Sequence, residues 1–486
     1  MDQRLSPHFD TIIIGAGLAG LTCAALLAKA GLRVAVLEKN SRLGGYAVSY
    51  AIKGHRFDIA VQAIGGCDTD GVISRLFKEL GHENRIRFLP CEPARVYYFG
   101  NDSHPWEQSG LTPKLIDSLS ARFPEYHSAI TRCYETWSGI LRELEEIAQR
   151  GSDGVAFGFS RSYPMLSRYS AYTVKEFFDQ LAIPEALRSL MTSRSGYCML
   201  PTERLSLVGF ACTEMTYGKG AWMVEGGIEK IPGLLAKSVY ESGGMIMRRA
   251  RMVRIYTKDG AVDGVETIKG DQLSSNCVVI ASSLKSGLFL DRPQMIPDRF
   301  TRRVALMEPS GSYYIAYYSI PEPAARGLHH NMEFTGLKIK HPLAFSTDAF
   351  YMLVPSLIDP SAAPPGRHCL CLSLPCPAGY SLAKDERNAC RMFLEESVID
   401  RFPMLKGKMQ FFFDLGPRQL ETISGNPGGS AYGWVQTPEQ SGIRRLGMKT
   451  PISGLYLTGH WTMPGGGIAG VITSGRLCAR MILKDY

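Results

Sequence analysis

The sequence lacks the cysteine spacings that mark a zinc site or a redox dithiol. None of its twelve cysteines belongs to a C-x-x-C pair, so we predict no metal site and no thioredoxin-like pair. The densest cluster, HCLCLSLPC at residues 368–376, alternates like a strand, which is typical of small apolar side chains in a sheet. A basic segment followed by an apolar one is also missing at the start. MDQRLSPHF is therefore interpreted as a short polar leader, and a cytoplasmic location is expected.

The sequence also lacks a large excess of positive or negative charge. The formal net charge is +8 over 486 residues, and charged residues make up 21% of the chain. Short basic groups such as Arg302-Arg303 and GIRRLGMK are typical of solvated faces, so a nucleic-acid partner is not expected. Several of these groups adjoin apolar runs, which leaves a peripheral contact with anionic lipid open. The composition is that of a globular protein of about two or three domains, and it does not indicate an oligomeric state.

One long uncharged run is present near the start. Residues 11–28 carry no charge, a length that suggests a membrane span. Gly15, Gly17 and Gly20 interrupt the run as G-x-G-x-x-G, directly after a β-branched stretch and before an Ala/Leu-rich helical pattern. A second strand over residues 33–37 ends in Glu38, about 20 residues past the glycines. The pattern therefore predicts a βαβ unit that binds a dinucleotide, not a membrane helix.

Each part of this unit has its own expected role. The first glycine allows the tight turn, the second lets the backbone approach a pyrophosphate, and the third lets the helix pack closely on the strand. The helix N-terminus, with the N–H groups of Leu18 and Ala19, is expected to face the phosphates. The Glu38 carboxylate is expected to bind ribose hydroxyls.

The residues after this acid favour FAD over NAD or NADP. Lys39 follows Glu38, and Arg42, Gly44 and Gly45 then have the spacing R-x-G-G that flavoproteins of the glutathione-reductase type often carry. At this point bare backbone and a guanidinium can reach the FAD pyrophosphate, whereas an ordinary Gly-Gly turn does not explain the position. These four residues join the candidates for cofactor binding.

Later segments predict a return to the same nucleotide-binding sheet. An amphipathic helix over residues 228–242 is followed by strands over 245–247, 252–257 and 277–281. Near the end of the chain, a strand over 455–458 leads into a glycine-rich loop, and a helix begins at about Ala469. Two glycine-rich loops, far apart in the chain and each opening a helix, indicate one cofactor threaded between them.

These motifs together resemble the phytoene desaturase-like FAD oxidoreductases, which include carotenoid desaturases, carotenoid cis–trans isomerases and retinol saturases. The resemblance covers nearly the whole chain and rests on DTIIIGAGLAGL, EKNSRLGGYAVSY with GHRFDIA, EGGIEKIPGLLAKSVYESGG, GNPGGSAYGW and LYLTGHWTMPGGGIAGVITSGR. Many relatives carry an acid after the glycine of the last strand, whereas this chain has His460, for which a hydrogen bond to the ribityl chain is one expectation. Besides the residues already named, the resemblance implies FAD contacts from Val253, Gly459, His460, Gly467, Ile468, Ala469, Gly470 and Val471.

The resemblance also implies the fold and the domain division. We expect an α/β fold with a glutathione-reductase-type, amine-oxidase-like Rossmann FAD-binding domain and a discontinuous α+β substrate domain. The FAD-binding domain is expected over residues 1–70, 222–288 and 446–486, and the substrate domain over 71–221 and 289–445. Helices in 111–191 and strands in 300–415 would build the substrate domain, with most of their large apolar side chains forming core.

The chemistry implied by the resemblance is hydride exchange between flavin N5 and a lipophilic, conjugated polyene. Only one dinucleotide fingerprint occurs, so a tightly docked NAD(P)H is not expected, and desaturation and isomerisation rank above saturation. The catalytic candidates are Tyr432, Trp434, His460 and Trp461. His460 could exchange a proton near neutral pH, and the three aromatic side chains have an equal interpretation as core.

Three alternatives stay open from the sequence. The first is an amine-oxidase-like flavoenzyme, which shares the scaffold but would add an aromatic cage or a carboxylate-binding arginine. The second is a desaturase-like enzyme of another biosynthetic pathway. The third is a non-enzymatic carrier related to the Rab GDP-dissociation inhibitors, which would not need a complete FAD site.

Overall fold

Residues 11–14, which the sequence predicts as a strand, form the central strand of a parallel sheet in the computed structural model. The structure describes residues 7–59, 63–100, 105–150, 159–284, 297–335 and 349–486. The strands are β1 (Thr11–Ile14), β2 (Val34–Glu38), β3 (Ser49–Ile52), β4 (His55–Asp58), β5 (Phe88–Pro90), β6 (Arg95–Phe99), β7 (Trp106–Gln108), β8 (Trp222–Val224), β9 (Met245–Arg248), β10 (Met252–Lys258), β11 (Ala261–Thr267), β12 (Gln272–Ser274), β13 (Val278–Ile280), β14 (Ser312–Pro321), β15 (Asn331–Thr335), β16 (Ala349–Leu353), β17 (Arg367–Cys376), β18 (Gln410–Leu415) and β19 (Leu455–Leu457). The helices are α1 (Leu18–Lys29), α2 (Val72–Leu80), α3 (Thr112–Arg122), α4 (His127–Arg150), α5 (Phe159–Ser162), α6 (Pro164–Tyr169), α7 (Val174–Gln180), α8 (Glu185–Met191), α9 (Leu207–Thr216), α10 (Lys230–Glu241), α11 (Asp298–Leu306), α12 (Glu322–Ala325), α13 (Lys384–Arg401), α14 (Pro417–Ser424) and α15 (Ile468–Asp485).

The parallel sheet has the strand order β19-β13-β1-β2-β9. Ile13 lies opposite Val36 of β2 on one side and Val279 of β13 on the other. Every residue of β1 is buried, as expected for a parallel strand that is covered on both faces, and α1 packs against α10 and α15. The order and direction of these strands are those of a Rossmann dinucleotide-binding fold, so the predicted α/β class and βαβ unit are confirmed.

The prediction that the strand over residues 252–257 returns to this sheet is wrong. Strands β9 and β13 join the parallel sheet, but β10, β11 and β12 form a separate antiparallel sheet. The reason is the shortness of the connections, since β10 reaches β11 through the turn at Asp259 and Gly260. A short turn can only join antiparallel neighbours, whereas a parallel strand needs a longer crossover.

A seven-stranded sheet with the order β18-β14-β17-β16-β15-β6-β7 forms the second large layer. Successive side chains of β14 point to opposite faces. Tyr314, Ala316 and Tyr318 pack into an apolar cluster with residues of α13. The alternate residues, which include Tyr313 and Ile315, belong to a different cluster and face a cavity. This sheet takes β6 and β7 from residues before 110, so it draws on both pieces of the predicted substrate domain; the domain boundaries themselves stay a prediction.

Helix α4 is the longest element of a helical layer beside this sheet. Trp137 on α4 is fully buried against residues of α7 and α9, including Phe178 and Phe210. Burial of one such large side chain contributes about 1.5–3 kcal/mol to the free energy of unfolding. In the part of the chain that the structure describes, no helix combines the length and the apolar character needed to cross a membrane. The uncharged run at residues 11–28 is instead a buried strand, a turn and most of a twelve-residue helix.

Candidate functional site

The first glycine-rich turn joins β1 to α1 and is held by backbone packing. Gly15 has φ +108, a conformation that glycine adopts without strain. A Cβ atom at Gly20 would overlap the carbonyl oxygen of Gly15 and would lie 2.9 Å from the Cβ of Ala281. These two glycines are therefore required by the fold of the turn itself, as the sequence predicts for the first and third positions.

Gly17 differs from these two glycines because the protein itself does not require it. Its φ of −70 suits any residue, and a Cβ atom there would have no protein atom within 4 Å. Gly17 is the N-cap of α1, and no side chain caps the first turn, which leaves the N–H groups of Leu18 and Ala19 directed at the same open space. Bare backbone and a positive helix end beside open space fit a pyrophosphate.

Glu38 ends β2 beside this turn and is buried. Its carboxylate oxygens accept hydrogen bonds from the backbone N–H groups of Ala16 at 2.9 Å and Asn40 at 2.8 Å. The backbone carbonyl of Glu38 accepts from the N–H of Ala250, just before β10. Val253 thus lies three residues after Ala250, which contacts Glu38 directly. Val253 itself belongs to the separate antiparallel sheet. The predicted roles of Glu38 at the ribose and Val253 at the adenine stay predictions.

The R-x-G-G segment lies directly against the first turn. The N–H of Gly44 donates to the carbonyl of Ala16 at 2.8 Å, and a Cβ atom at Gly45 would lie 3.4 Å from the Cα of Gly17. The two charged side chains of the segment are directed elsewhere. The Arg42 guanidinium bonds to both carboxylate oxygens of Glu229, and the Lys39 ammonium donates to the carbonyl of Thr422. The structure therefore brings Gly44 and Gly45 to the turn, but it gives Arg42 and Lys39 protein partners.

The second glycine-rich loop lies next to the first. Gly459 follows β19 with φ +104, and a Cβ atom there would lie 3.6 Å from the Cβ of Ala19. Gly467 is the N-cap of α15 with φ +84, and again no side chain caps the helix. The first turn of this helix consists of Ile468, Ala469, Gly470 and Val471. The start of α1 thus contacts the second loop at Gly459, and α15 begins nine residues after Gly459 with its own uncapped N-terminus, an arrangement that fits a long anionic cofactor such as FAD.

A cavity of about 370 Å³ adjoins this second loop. Gly466, Gly467 and Ala469 line one side. The opposite walls come from β14 and β17 of the seven-stranded sheet and from α9. Asp58 also reaches the wall, where burial raises the pKa of its carboxyl above the usual range and Ser49 donates a hydrogen bond to it at 2.6 Å. The cavity therefore joins the predicted flavin loop to the substrate side of the molecule.

The four catalytic candidates occupy different environments. Tyr432 lines the cavity, and its backbone is so close to Gly466 that a Cβ atom there would lie 2.8 Å from the Tyr432 carbonyl oxygen. Trp434 and Trp461 are buried in an apolar cluster with residues of β1, β2 and β13, with ring centroids 4.5 Å apart. The core interpretation is therefore the one that the structure favours for both tryptophans.

His460 does not have the acid–base character that the sequence suggests. Burial, together with the nearby Arg445 guanidinium, lowers the pKa of its imidazole to about 3. The ring is thus neutral near pH 7. One ring nitrogen lies 3.3 Å from the side-chain oxygen of Asn426, and the ring packs edge-on against Trp461. A hydrogen-bonding role fits this neutral ring, and the lowered pKa disfavours proton exchange by His460 near neutral pH.

Sequence reasoning missed Arg445, which it placed on a solvated face within GIRRLGMK. Arg445 is only 2% exposed, and burial lowers the pKa of its guanidinium to about 9. It donates to the backbone carbonyls of Thr462 at 3.0 Å, Trp434 at 3.3 Å and Tyr432 at 3.4 Å, and also to that of His460. Arg445 therefore ties the 425–434 segment to the second glycine-rich loop, and no local signal distinguishes it from the exposed Arg444.

Comparison with known proteins agrees with this geometry. The model of the flavin containing amine oxidoreductase family matches residues 18–483. A rat protein, pyridine nucleotide-disulfide oxidoreductase domain-containing protein 2, is 24% identical over 99% of this chain and 94% of its own length. A lycopene-forming phytoene desaturase from Pseudescherichia vulneris is 25% identical over 98% of this chain and 99% of its own length.

Solved structures show the same architecture. Cyclohexylamine oxidase from Brevibacterium oxydans superimposes with a TM-score of 0.66, and 99% of each chain is covered at 17% sequence identity. The glycine loops, the paired helix N-termini and the Rossmann strand order are thus parts of one flavin-binding scaffold. The chain belongs to the flavin-containing amine oxidoreductase family and is an FAD-dependent oxidoreductase related to the phytoene desaturase-like enzymes.

Proposed function

We propose that this FAD-dependent enzyme exchanges hydride with a lipophilic, conjugated polyene and so desaturates or isomerises it. The observation that carries the proposal is the cavity beside the second glycine-rich loop, which is bounded largely by apolar and aromatic side chains. Such walls suit a substrate that is itself apolar. The similarity to a phytoene desaturase over nearly the full length of both chains supports the same substrate class.

Bound FAD supplies the hydride acceptor or donor at this site. The chain contributes binding, orientation and exclusion of water. Ile315 and Leu353 line the cavity from the sheet, Tyr432 lines it beside the glycine loop, and none of them needs to transfer a proton. His460 is neutral, and it can fix its surroundings only through hydrogen bonds. Extended conjugation stabilises the charge that remains on the substrate, so the reaction does not require the acidic side chains that also reach the cavity, such as Asp58.

Oxidation of an amine is the second candidate function. Its support is the fold shared with cyclohexylamine oxidase, a likeness that by itself speaks for architecture only. The two candidates differ in their products, because a polyene product has an altered absorption spectrum, whereas an oxidised amine yields an imine and hydrogen peroxide when oxygen is the acceptor.

The experiment that tests the proposal is product analysis. The purified FAD-loaded protein is incubated with a panel of polyenes in detergent micelles, and the extract is separated by chromatography. We expect a polyene whose conjugation length or double-bond geometry has changed. Absence of any such product, together with peroxide release from a primary amine, would replace the polyene proposal by the amine one.

We propose further that contact with membranes, where a lipophilic substrate concentrates, is peripheral. An association of this kind has only surface contacts to lose, so salt or alkaline carbonate should release the protein. Retention in the carbonate pellet contradicts the proposal.

A further inference from the structure

Tyrosine side chains are concentrated on the walls of the cavity. Tyr197 ends a short helical turn, Tyr217 follows α9, Tyr313 lies on β14, and Tyr432 lies beside the second glycine-rich loop. A pure hydrocarbon needs none of these hydroxyl groups. Hydroxyl groups in a largely apolar cavity indicate that the ligand carries a polar group.

Two of these hydroxyls are poorly paired within the protein. The hydroxyl oxygens of Tyr313 and Tyr432 lie 3.5 Å apart, and the Tyr313 oxygen lies 3.5 Å from the carbonyl oxygen of Gly196. Good O–H···O hydrogen bonds measure about 2.7–2.8 Å, so both contacts are weak. Tyr217 differs, because its hydroxyl donates to the carbonyl of Ala63 at 3.1 Å. Tyr313 and Tyr432 thus retain donor capacity beside the cavity.

The two hydroxyls are held in place by their surroundings. The N–H of Tyr432 donates to the Ser310 hydroxyl at 2.8 Å, and the buried Arg445 binds its carbonyl. Tyr313 lies near the start of β14, opposite Pro375 of β17. Burial raises the pKa of both phenols well above the usual range, so both remain protonated donors near neutral pH. Preorganised donors of this kind favour a ligand acceptor.

Two further tyrosine rings on the cavity wall, those of Tyr197 and Tyr217, already interact with buried cations. The Arg95 guanidinium lies 4.2 Å from the ring centroid of Tyr197 and pairs with Glu333. The Arg194 guanidinium lies 5.4 Å from the ring of Tyr217 and pairs with Glu214. All four charged side chains are buried.

These cations reduce the attraction that the rings can offer to an ammonium ion, because a ring quadrupole that faces one cation is a weaker partner for a second. The two rings also stack on each other, with centroids 5.4 Å apart and planes inclined by 28°, so this pair leaves no gap between them. An amine cage built from Tyr197 and Tyr217 is therefore unfavourable.

From these observations we infer that the hydroxyls of Tyr313 and Tyr432 form a receptor for an oxygen atom of the substrate, so that the substrate is an oxygenated polyene bearing a carbonyl or hydroxyl group. A ligand oxygen about 2.8 Å from each of the two hydroxyl oxygens, off the line that joins them, accepts from both and completes the hydrogen bonds that the protein leaves weak. This inference rests on the proposed polyene function, and it adds a requirement that a hydrocarbon polyene does not meet.

Three probes with the same carbon skeleton test the receptor: all-trans-retinal, all-trans-retinol and the hydrocarbon axerophtene. Their dissociation constants are measured on the FAD-loaded protein under anaerobic conditions from the change in the flavin absorption spectrum. Each hydrogen bond is worth roughly 2- to 12-fold in affinity. We therefore expect retinal and retinol to bind about 4- to 150-fold more tightly than axerophtene when both hydroxyls contribute.

The variants Tyr313→Phe and Tyr432→Phe remove one hydroxyl each and keep the ring. Each should lower the ratio of oxygenated to hydrocarbon affinity by roughly 2- to 12-fold, and the double variant should bring it near 1. The matched control is Tyr240→Phe, since Tyr240 is 48% exposed on α10 and should leave the ratio unchanged. A ratio rather than a single affinity is compared, so a general loss of packing does not imitate the effect.

The outcomes separate this inference from the proposed function. Equal affinity of the wild-type protein for all three probes, or a ratio that neither variant changes, overturns the oxygen receptor and leaves the polyene proposal in place. Failure of the protein to bind any of the three overturns both. Tight binding of benzylamine that also bleaches the flavin contradicts the argument about the occupied tyrosine rings.

Discussion

Gly17→Ala separates the requirements of cofactor binding from those of folding. The backbone of Gly17 has φ −70 and ψ 173, which alanine adopts without strain, and the new methyl group would meet no protein atom within 4 Å. The substitution also reduces the freedom of the unfolded chain, which stabilises the folded protein by about 0.4–1 kcal/mol. The apoprotein should therefore melt at an unchanged or slightly higher temperature.

Gly17→Ala should weaken FAD binding, although it does not destabilise the apoprotein. The methyl group projects into the space beside the uncapped N-terminus of α1, where the pyrophosphate is expected. A hydrogen bond to a charged group contributes about 1.5–3 kcal/mol, so loss of one phosphate contact weakens FAD binding by about 10- to 150-fold. The assay is reconstitution of the apoprotein with FAD, followed by quenching of flavin fluorescence, alongside thermal melting of the apoprotein.

Two other glycines provide controls. Gly233→Ala lies on an exposed turn of α10 where a Cβ atom also meets nothing, so it should stabilise the helix by up to about 1 kcal/mol and leave FAD affinity unchanged. Gly20→Ala should prevent folding, because its Cβ atom would overlap the carbonyl oxygen of Gly15. Unaltered FAD affinity in Gly17→Ala would refute the placement of the pyrophosphate, whatever the melting temperatures show.

Three further substitutions test other parts of the site. Glu38→Gln should weaken FAD retention by roughly 1.5–3 kcal/mol in the same titration, because the carboxylate charge is lost at the expected ribose contact. The Gln amide keeps one acceptor oxygen, so only one of the two bonds from the N–H groups of Ala16 and Asn40 can persist. Unchanged affinity makes Glu38 purely structural. Arg445→Met leaves several buried carbonyls without a donor, so urea titration of the holoprotein should show a free energy of unfolding lower by about 1–3 kcal/mol. Loss of flavin without loss of stability contradicts the role of Arg445 in joining the 425–434 segment to the second glycine-rich loop. His460 has a pKa of about 3 in the folded protein and an ordinary value of 6.5 when unfolded, so the free energy of unfolding should decrease as the pH falls from about 6.5 toward 3, by about 1–2 kcal/mol at pH 5. The variant His460→Gln should lose less stability over this interval in denaturant titrations. Equal losses in the wild-type protein and the variant reject the neutral buried ring.

The βαβ start of the chain was predictable because its signals are local. The β-branched run, the three glycines and the helical pattern each act within a few residues, and the structure places Gly15 and Gly20 where backbone contacts demand them. The second loop was predictable for the same reason, although α15 begins at Ile468, one residue before the expected start. Local signals also predicted the strand β10, but not the sheet that it joins, because connection length and packing decide which strands become neighbours.

The side-chain environments were not predictable from the motifs that contain them. Tyr432 and Trp434 are two residues apart in the same motif, yet one lines the cavity and the other is core. Arg445 follows Arg444 directly, yet only Arg445 turns inward to bind carbonyls from three segments. Such differences depend on contacts between distant parts of the chain, which no local pattern encodes.

The most direct test of the account is an anaerobic absorption spectrum of the FAD-loaded protein mixed with a polyene. For desaturation, the oxidised flavin should bleach when the polyene is added. For isomerisation, the reduced flavin should be required and should stay reduced while the polyene changes geometry. The account is contradicted if neither flavin state alters any polyene and the oxidised protein is instead bleached by a primary or secondary amine.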